Sequence, residues 1–234
     1  MTEIPPHFRA VLVPPTRTVW EALVGHLPAS AYLVGGTGIA AHLGHRESRD
    51  LDFFMGESFD PHHVAASLER RIGRFVATRM VAGTLIGYLE DVKVQFLDAT
   101  SQDPVDLIKQ IGGIPVAGLR DLAATKLKVV GDRGELRDYL DLMVLEQQAG
   151  LRVEEGLSVF IERYRPVPIE AAVLQIVRGL GYFGDVADDP GLPMARHEIE
   201  GYWIRRQPEI VTSLGWLTGR ESRQGRDRGT ELSR

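Results

Sequence analysis

Between Tyr32 and Phe54 the chain reads YLVGGTGIAAHLGHRESRDLDFF, and this stretch limits the possible fold more than any other. A short apolar strand ends in Gly35 and Gly36, a helix follows over about 37–43, and after a polar turn a second strand carries Asp50 and Asp52. Side chains alternate along a strand, so Asp50 and Asp52 share one face while Leu51 and Phe53 take the other. Two carboxylates side by side over an apolar floor are costly to leave unneutralised, and the usual remedy is a hard cation with oxygen ligands. Magnesium carrying a triphosphate fits best. The glycine pair supplies the other end of such a site, because a backbone without side chains turns tightly and the N–H groups of the helix start can receive phosphate oxygens. Taken alone, Gly35, Gly36 and Gly38 fit a dinucleotide-binding turn or a plain tight connection equally well.

Composition narrows the class. At 234 residues, 44% hydrophobic and 25% charged, the chain has the make-up of a soluble globular protein with one good core or two small ones. No apolar run is long enough to span a bilayer, and the N-terminal MTEIPPHFRA has no signal-peptide core. The absence of cysteine excludes disulfides and thiolate metal sites and agrees with a cytoplasmic location. A formal charge of −5 argues against binding nucleic acid by bulk charge, so any RNA contact must be local. Arg70, Arg71, Arg74 and Arg79 could form such a patch near a sheet edge, or simply a solvated face.

Helical spacing of Val19, Leu23 and Leu27 predicts a first helix over 16–27, ended by Pro28. His42 and His45 read as polar residues closing the helix after the glycine turn, and adjacent His62 and His63 on a helix from Pro61 have poor geometry for a metal. Residues 75–80, 83–89 and 92–97 read as three strands. In the last of them, Lys93, Gln95 and Leu97 share one face. A connecting region over 99–117 contains a short amphipathic piece, VDLIKQI, and the composition then turns helical. The expected domains are 1–115, a helical domain over 116–217, and a disordered tail over 218–234.

The second informative stretch is LRDLAATKLKVVGDRGELRDYLDLMVL, Leu119 to Leu145. Leu119, Leu122, Ala123, Leu127 and Val130 form one apolar stripe, and Lys126 falls within that arc while Lys128 falls opposite. An inward-facing ammonium needs an anion. Gly131 and Gly134 are expected to bracket a turn around Asp132 and Arg133, before a helix on which Asp138 and Asp141 share the one polar strip. Two readings stay open: an internal salt bridge from Lys126 or Arg133 to these aspartates, or a Lys126 that meets a triphosphate while Asp141 assists the acceptor or holds the lysine. Farther on, helices are expected over 153–164, 168–180 and 195–206. Trp203 should serve packing, and the loop with Asp185, Asp188 and Asp189 lacks the spacing of a calcium-binding hand.

Gly-Gly, thirteen residues, then Asp-x-Asp resembles the nucleotidyltransferase superfamily of DNA polymerase beta. With T-K-L-K-x-x-G-x-R-G and R-D-Y-x-D-L after it, the pattern closely resembles the AbiEii/AbiGii toxin family, which includes the mycobacterial MenT toxins. The resemblance covers about Tyr32 to Leu145 and implies an α/β fold: a polymerase beta-like mixed sheet with flanking helices, plus a C-terminal helical domain. It implies Gly35, Gly36 and Thr37 at the phosphates of an NTP substrate with Lys126 and Arg133, and Asp50 and Asp52 as ligands of Mg2+ or Mn2+. Asp141 would be the acidic residue of the last motif. Many superfamily members carry a third carboxylate where Gln95 stands here. The implied activity is transfer of NMP from NTP to RNA, the acceptor being a tRNA 3′ end, by the toxin of a type IV toxin–antitoxin pair with a cognate antitoxin. The alternatives are a small-molecule nucleotidyltransferase of the antibiotic-modifying kind and a degenerate nucleotide-binding module without catalysis.

Overall fold

Seven strands pair in the order β3-β4-β5-β2-β1-β7-β6, the two most informative of them, β1 (Ala31–Val34) and β2 (Leu51–Met55), lying antiparallel near the middle. The computed structural model describes residues 3–224, and side chains for residues 3–215. Before β1 come α1 (Pro6–Val11) and α2 (Pro14–Leu23); α3 (Gly35–Leu43) joins β1 to β2. Then follow α4 (Pro61–Ile72), β3 (Phe75–Val81), β4 (Thr84–Leu89), β5 (Val92–Asp98), β6 (Lys109–Ile111) and β7 (Ile114–Val116). The remainder is helical: α5 (Leu119–Arg133), α6 (Leu136–Ala149), α7 (Val153–Tyr164), α8 (Ile169–Leu180) and α9 (Arg196–Gln224). The sheet is mixed, since β2 runs parallel to β5 and β1 parallel to β7 while β3, β4 and β5 form an antiparallel meander.

The alternation of apolar residues assigns each face its cover. Leu33, Phe53, Val94, Phe96, Leu85 and Phe75 look toward α1, α2 and α4, where Phe8, Trp20, Leu23, Val64 and Leu68 close the first core. Tyr32, Val34 and Phe54 point the other way, into a second core made with α5 to α9. That second cover reaches only one half of its face. Over β7, β1 and β2 the sheet is roofed by helices, whereas on β3 and β4 Val76 is 62% and Tyr88 40% exposed.

The expected division at 115/116 falls inside β7, and the second core runs across it, joining β1 and β2 to all five C-terminal helices. A buried ion pair ties the same parts together. Arg163 on α7 and Asp121 on α5 are both fully buried, 2.5 Å apart, and Arg163 also donates to the Tyr32 hydroxyl at 3.1 Å. Asp121 accepts in addition from the backbone N–H groups of Val105 and Asp106, so the connection after β5 is fastened to the helices as well.

Several boundaries differ from those expected. The helix expected over 16–27 is α2, which α1 precedes, and it ends at Leu23, because the chain turns at Gly25 with φ of +75°. The connecting region holds two strands that were not expected: the end of VDLIKQI forms β6, which turns through Gly112-Gly113 into β7, strands of three residues each that leave little period to read. Gly131 does not open a turn. Helix α5 runs through it to Arg133, and a Cβ there would lie 2.8 Å from Ile176 Cγ1 on α8. Gly131→Ala should therefore lower stability by about 1–3 kcal/mol through overpacking, read from the urea midpoint. The tail expected to be disordered from 218 is helical as far as Gln224, continuing the preformed α9 in which Arg, Glu and Gln are good helix formers; 225–234 lie outside the described residues.

Candidate active site

The turn from β1 into α3 has the backbone that the glycine pair allows. Gly35 sits at φ of +70°, a left-handed conformation that other residues resist, and a Cβ on it would lie 2.6 Å from Asp52 Oδ2. A side chain at Gly36 would run into the Arg46 guanidinium and come within 3.3 Å of Ser48 Oγ. The bare backbone is what lets the Asp52 carboxylate lie against the start of α3. Gly35→Ala should destabilise the protein by about 1–3 kcal/mol and displace the Asp52 carboxylate, seen as a loss of divalent-ion binding in calorimetry.

Val34 pairs with Asp52, and Asp52 pairs in turn with Gln95 on β5. Asp50 stands one residue before β2. Asp50, Asp52 and Gln95 line a cleft of about 670 Å3 together with Gly35, Gly36 and Lys93. Its opposite wall is made by Lys126 on α5, by Arg133, Arg137 and Asp138, and by Asp189 and Leu192 of the loop before α9. Burial pushes the Asp52 carboxyl above the ordinary carboxylate range, and the like charge of Asp50 adds to this, with Lys126 acting against both. Such a pair is a site made for a cation. Among the described residues no three His, Cys, Asp or Glu side chains gather into a metal cage. Two carboxylates nevertheless match magnesium, which commonly takes one or two and fills its other positions with water and substrate phosphate oxygens. Gln95 puts a neutral amide, rather than a third negative charge, beside Asp52.

Lys126 meets its anions inside the protein. Its Nζ lies 2.7 Å from Asp138 Oδ1 and 2.7 Å from Asp141 Oδ2, and the side chain is 9% exposed at the cleft wall. Burial opposes its charge, but the two carboxylates prevail and hold its pKa above the ordinary lysine value. Asp141 itself is fully buried and faces no open space. Besides Lys126 it receives Arg46 in a two-pronged contact, Nε to Oδ1 at 2.6 Å and Nη2 to Oδ2 at 2.8 Å, and His45 Nε2 at 2.8 Å. Since a carboxylate can only accept, Nε2 carries the hydrogen, and His45 Nδ1 is left buried without a partner. Burial would raise the Asp141 carboxyl, yet Lys126, Arg46 and these hydrogen bonds hold it well below the usual range.

The residues singled out in the sequence thus divide. Gly35, Gly36, Asp50, Asp52, Lys126 and Arg133 border one cleft; Arg133, 86% exposed, stands at its rim. Thr37 does not reach the cleft, because it is buried beneath the turn and its hydroxyl lies 2.7 Å from Ser48 Oγ and 2.5 Å from the Asp50 carbonyl, where it holds the approach to β2. Asp141 is set behind Lys126 and Arg46 rather than before a substrate. His42 bonds to the Ala117 carbonyl, Lys128 pairs with Asp132 at the surface, and Trp203 is wholly buried. Arg46 and the function of His45 escape sequence reasoning, their partner being some 95 residues away. The signal was Asp141 set among Tyr139, Leu140, Leu142 and Met143 on α6, a carboxylate in apolar surroundings that demanded cations from elsewhere.

A cleft with paired aspartates and a glycine turn on the central strands of a mixed sheet, walled opposite by helices, is the site of a nucleotidyltransferase fold. Two solved structures share that fold: a candidate nucleotidyltransferase from Helicobacter pylori (TM-score 0.54, 17% identity, 86% of this chain and 93% of that one) and JHP933 from the same organism (TM-score 0.51, 15% identity, 92% and 100%). The family model for the nucleotidyl transferase AbiEii toxin of type IV toxin–antitoxin systems matches residues 21–175, and the chain belongs to that family. An uncharacterized protein of Aquifex aeolicus is 30% identical over 183 residues, 74% of this chain and 80% of its own.

Proposed function

We propose that this toxin-family nucleotidyltransferase transfers a nucleoside monophosphate from an NTP to the 3′ end of a tRNA, with magnesium or manganese, as the toxin of a type IV pair held in check by a cognate antitoxin in the cytoplasm. One observation carries the reading: Asp52, half-buried beside Asp50 and against the Gly35 backbone, faces Lys126 across a cleft large enough for a nucleotide. In this reading Asp50 and Asp52 hold the divalent ion, which when bound neutralises phosphate charge and activates the attacking hydroxyl. The backbone of Gly35 and Gly36 cradles the triphosphate, Lys126 and Arg133 draw its charge to the opposite wall, and Gln95 orients a water or the acceptor hydroxyl. Asp141 acts as a positioning residue that fixes Lys126 and Arg46. The helices after β7, expected as a domain over 116–217, complete the cleft. The acceptor hydroxyl gives its proton to water, its oxygen bonds to the α-phosphorus, the bond from that phosphorus to the α,β-bridging oxygen breaks, and pyrophosphate leaves. Positioning and charge neutralisation account for the catalysis.

The test is label transfer from each α-labelled NTP, with magnesium, onto total tRNA. Label that depends on Asp52 supports the reading and identifies the base. Binding of NTP without transfer to any RNA would overturn the RNA acceptor in favour of a small hydroxylated substrate, and failure to bind NTP at all would leave only a non-catalytic fold.

A further inference from the structure

We propose that the bare half of the sheet, on β5, β4 and β3, is the docking surface for the single-stranded end of the polynucleotide acceptor, an inference that rests on the RNA-acceptor reading above. The register of the strands sets out this face in three rows. In the middle row Asp52 is followed by Gln95, Ile86 and Arg79 on successive strands. On one side run Lys93, Tyr88 and Val76; on the other run Phe54, Leu97, Thr84 and Val81. The bulge between Ala77 and Arg79 keeps Arg79 on the cleft face although Val76 is three residues earlier. At the ordinary spacing of strands, Arg79 stands about 14 Å from Asp52, a span of roughly two nucleotides.

Beyond Asp52 at the cleft end, the charge along these rows is one-signed. In a chain of net charge −5, the β5, β4 and β3 positions of this face hold Lys93 and Arg79 and no carboxylate. Among them Tyr88 is 40% and Val76 62% exposed, a flat aromatic with an apolar neighbour between two cations. Cations that follow a phosphate backbone and an aromatic that stacks a base are what a single strand needs, and stacking on such a platform tolerates any sequence. The opposite face of the same strands packs into the core with α4, with Met80 39% exposed at the far end of β3, whereas this face is open along β4 and β3 and runs without a step into the cleft at Gln95 and Asp52. A strand lying on it would present its terminal hydroxyl beside the paired aspartates. The face is narrow, carries Gln95 and Arg79 in its middle row and is continuous with the reaction site, which favours the acceptor strand over a protein partner.

Tyr88→Ala, Tyr88→Phe, Arg79→Ala and Arg79→Lys, none of which touches the cleft wall, provide the test. Binding of a short fluorescent single-stranded RNA is followed against salt, beside binding of NTP with magnesium and the KM and kcat for labelling. Tyr88→Ala should weaken RNA binding and raise KM for the RNA about tenfold, with Tyr88→Phe close to wild type. Arg79→Ala should weaken RNA binding and flatten the salt slope by about one ion, with Arg79→Lys restoring it. NTP binding and kcat should stay as in wild type. If wild type labels RNA and both alanine variants keep its KM and salt slope, this surface is not the path, the proposed activity stands, and the face is left to a protein such as an antitoxin. If wild type binds NTP but neither binds nor labels RNA, the RNA-acceptor reading falls and this inference with it.

Discussion

Asp52→Asn is expected to do two opposite things. Label transfer should fall by at least about a hundredfold, because the amide cannot neutralise a divalent ion and the α-phosphate loses its counter-charge. The protein without nucleotide or metal should at the same time become more stable, by about 1 kcal/mol, or 2–4 °C in Tm for a chain of this size. Asp52 is held above its ordinary pKa by burial and by Asp50, so folding disfavours its ionised form. For an acid shifted upward, the folded state loses stability as pH rises from the unfolded value through the folded one, and stays lower above it. Removing the charge relieves that loss, and the gain should disappear in acid, where Asp52 is protonated anyway. Differential scanning fluorimetry of both proteins from pH 4 to pH 8, with and without magnesium and NTP, reads the effect. Wild type should rise in Tm on adding the ligands and the variant should not. A variant less stable than wild type at pH 8 would show that the two carboxylates are not a strained pair awaiting a cation.

Asp141→Asn is expected to be the most damaging single exchange to the fold. It replaces a fully buried carboxylate that accepts from Arg46, His45 and Lys126, and leaves two buried cations short of an anion. Breaking one side of a buried charge cluster costs about 3–5 kcal/mol, roughly 10 °C in Tm. The pH dependence has the reverse sign from that of Asp52. A carboxyl held well below its ordinary value contributes stability above about pH 4, the unfolded value, and that contribution is lost as pH falls toward the folded one. Wild type should lose stability steeply in acid, and the variant should show a shallower slope over the same range. Activity should fall too, through displaced Lys126 and Arg46. A conservative Asp141→Glu variant with wild-type stability but no activity would overturn the positioning role and put Asp141 in contact with the substrate.

The two aspartates were unequally legible in the sequence. Asp52 stands in a short-range pattern, glycine turn, helix and alternating strand, whose geometry is fixed by about twenty consecutive residues. Lys126 and the strands of the meander could be read for the same reason: period 3.6 or period 2 over enough positions to define a face. Asp141 was visible as a polar residue on an apolar helix, but its neighbours were not, because Arg46 and His45 come to it through the packing of α3 on α6. Nothing in the local sequence of His45-Arg46 separates a buried pair from a solvated turn. Thr37 failed differently: its position after the glycines suggests phosphate, while the three-dimensional need was to anchor the Asp50 carbonyl. The β6–β7 hairpin was lost to its brevity. The run of α9 to Gln224 was hidden by a polar composition that suits a solvent-exposed helix as well as a loose chain.

The strut of Asp121, Arg163 and Tyr32 bears on how the cleft can work. Because the sheet that carries the aspartates and the helices that carry Lys126 are fastened through a shared, dry ion pair and a common core, the two jaws have no hinge between them. On the proposed reading a nucleotide would therefore dock in an aperture of preset width, bordered on one side by Asp189 and Leu192 of the loop before α9. Nucleotide capture should accordingly be a single concentration-dependent step, and base preference must be set by the rim of that aperture rather than by closure upon the correct guest.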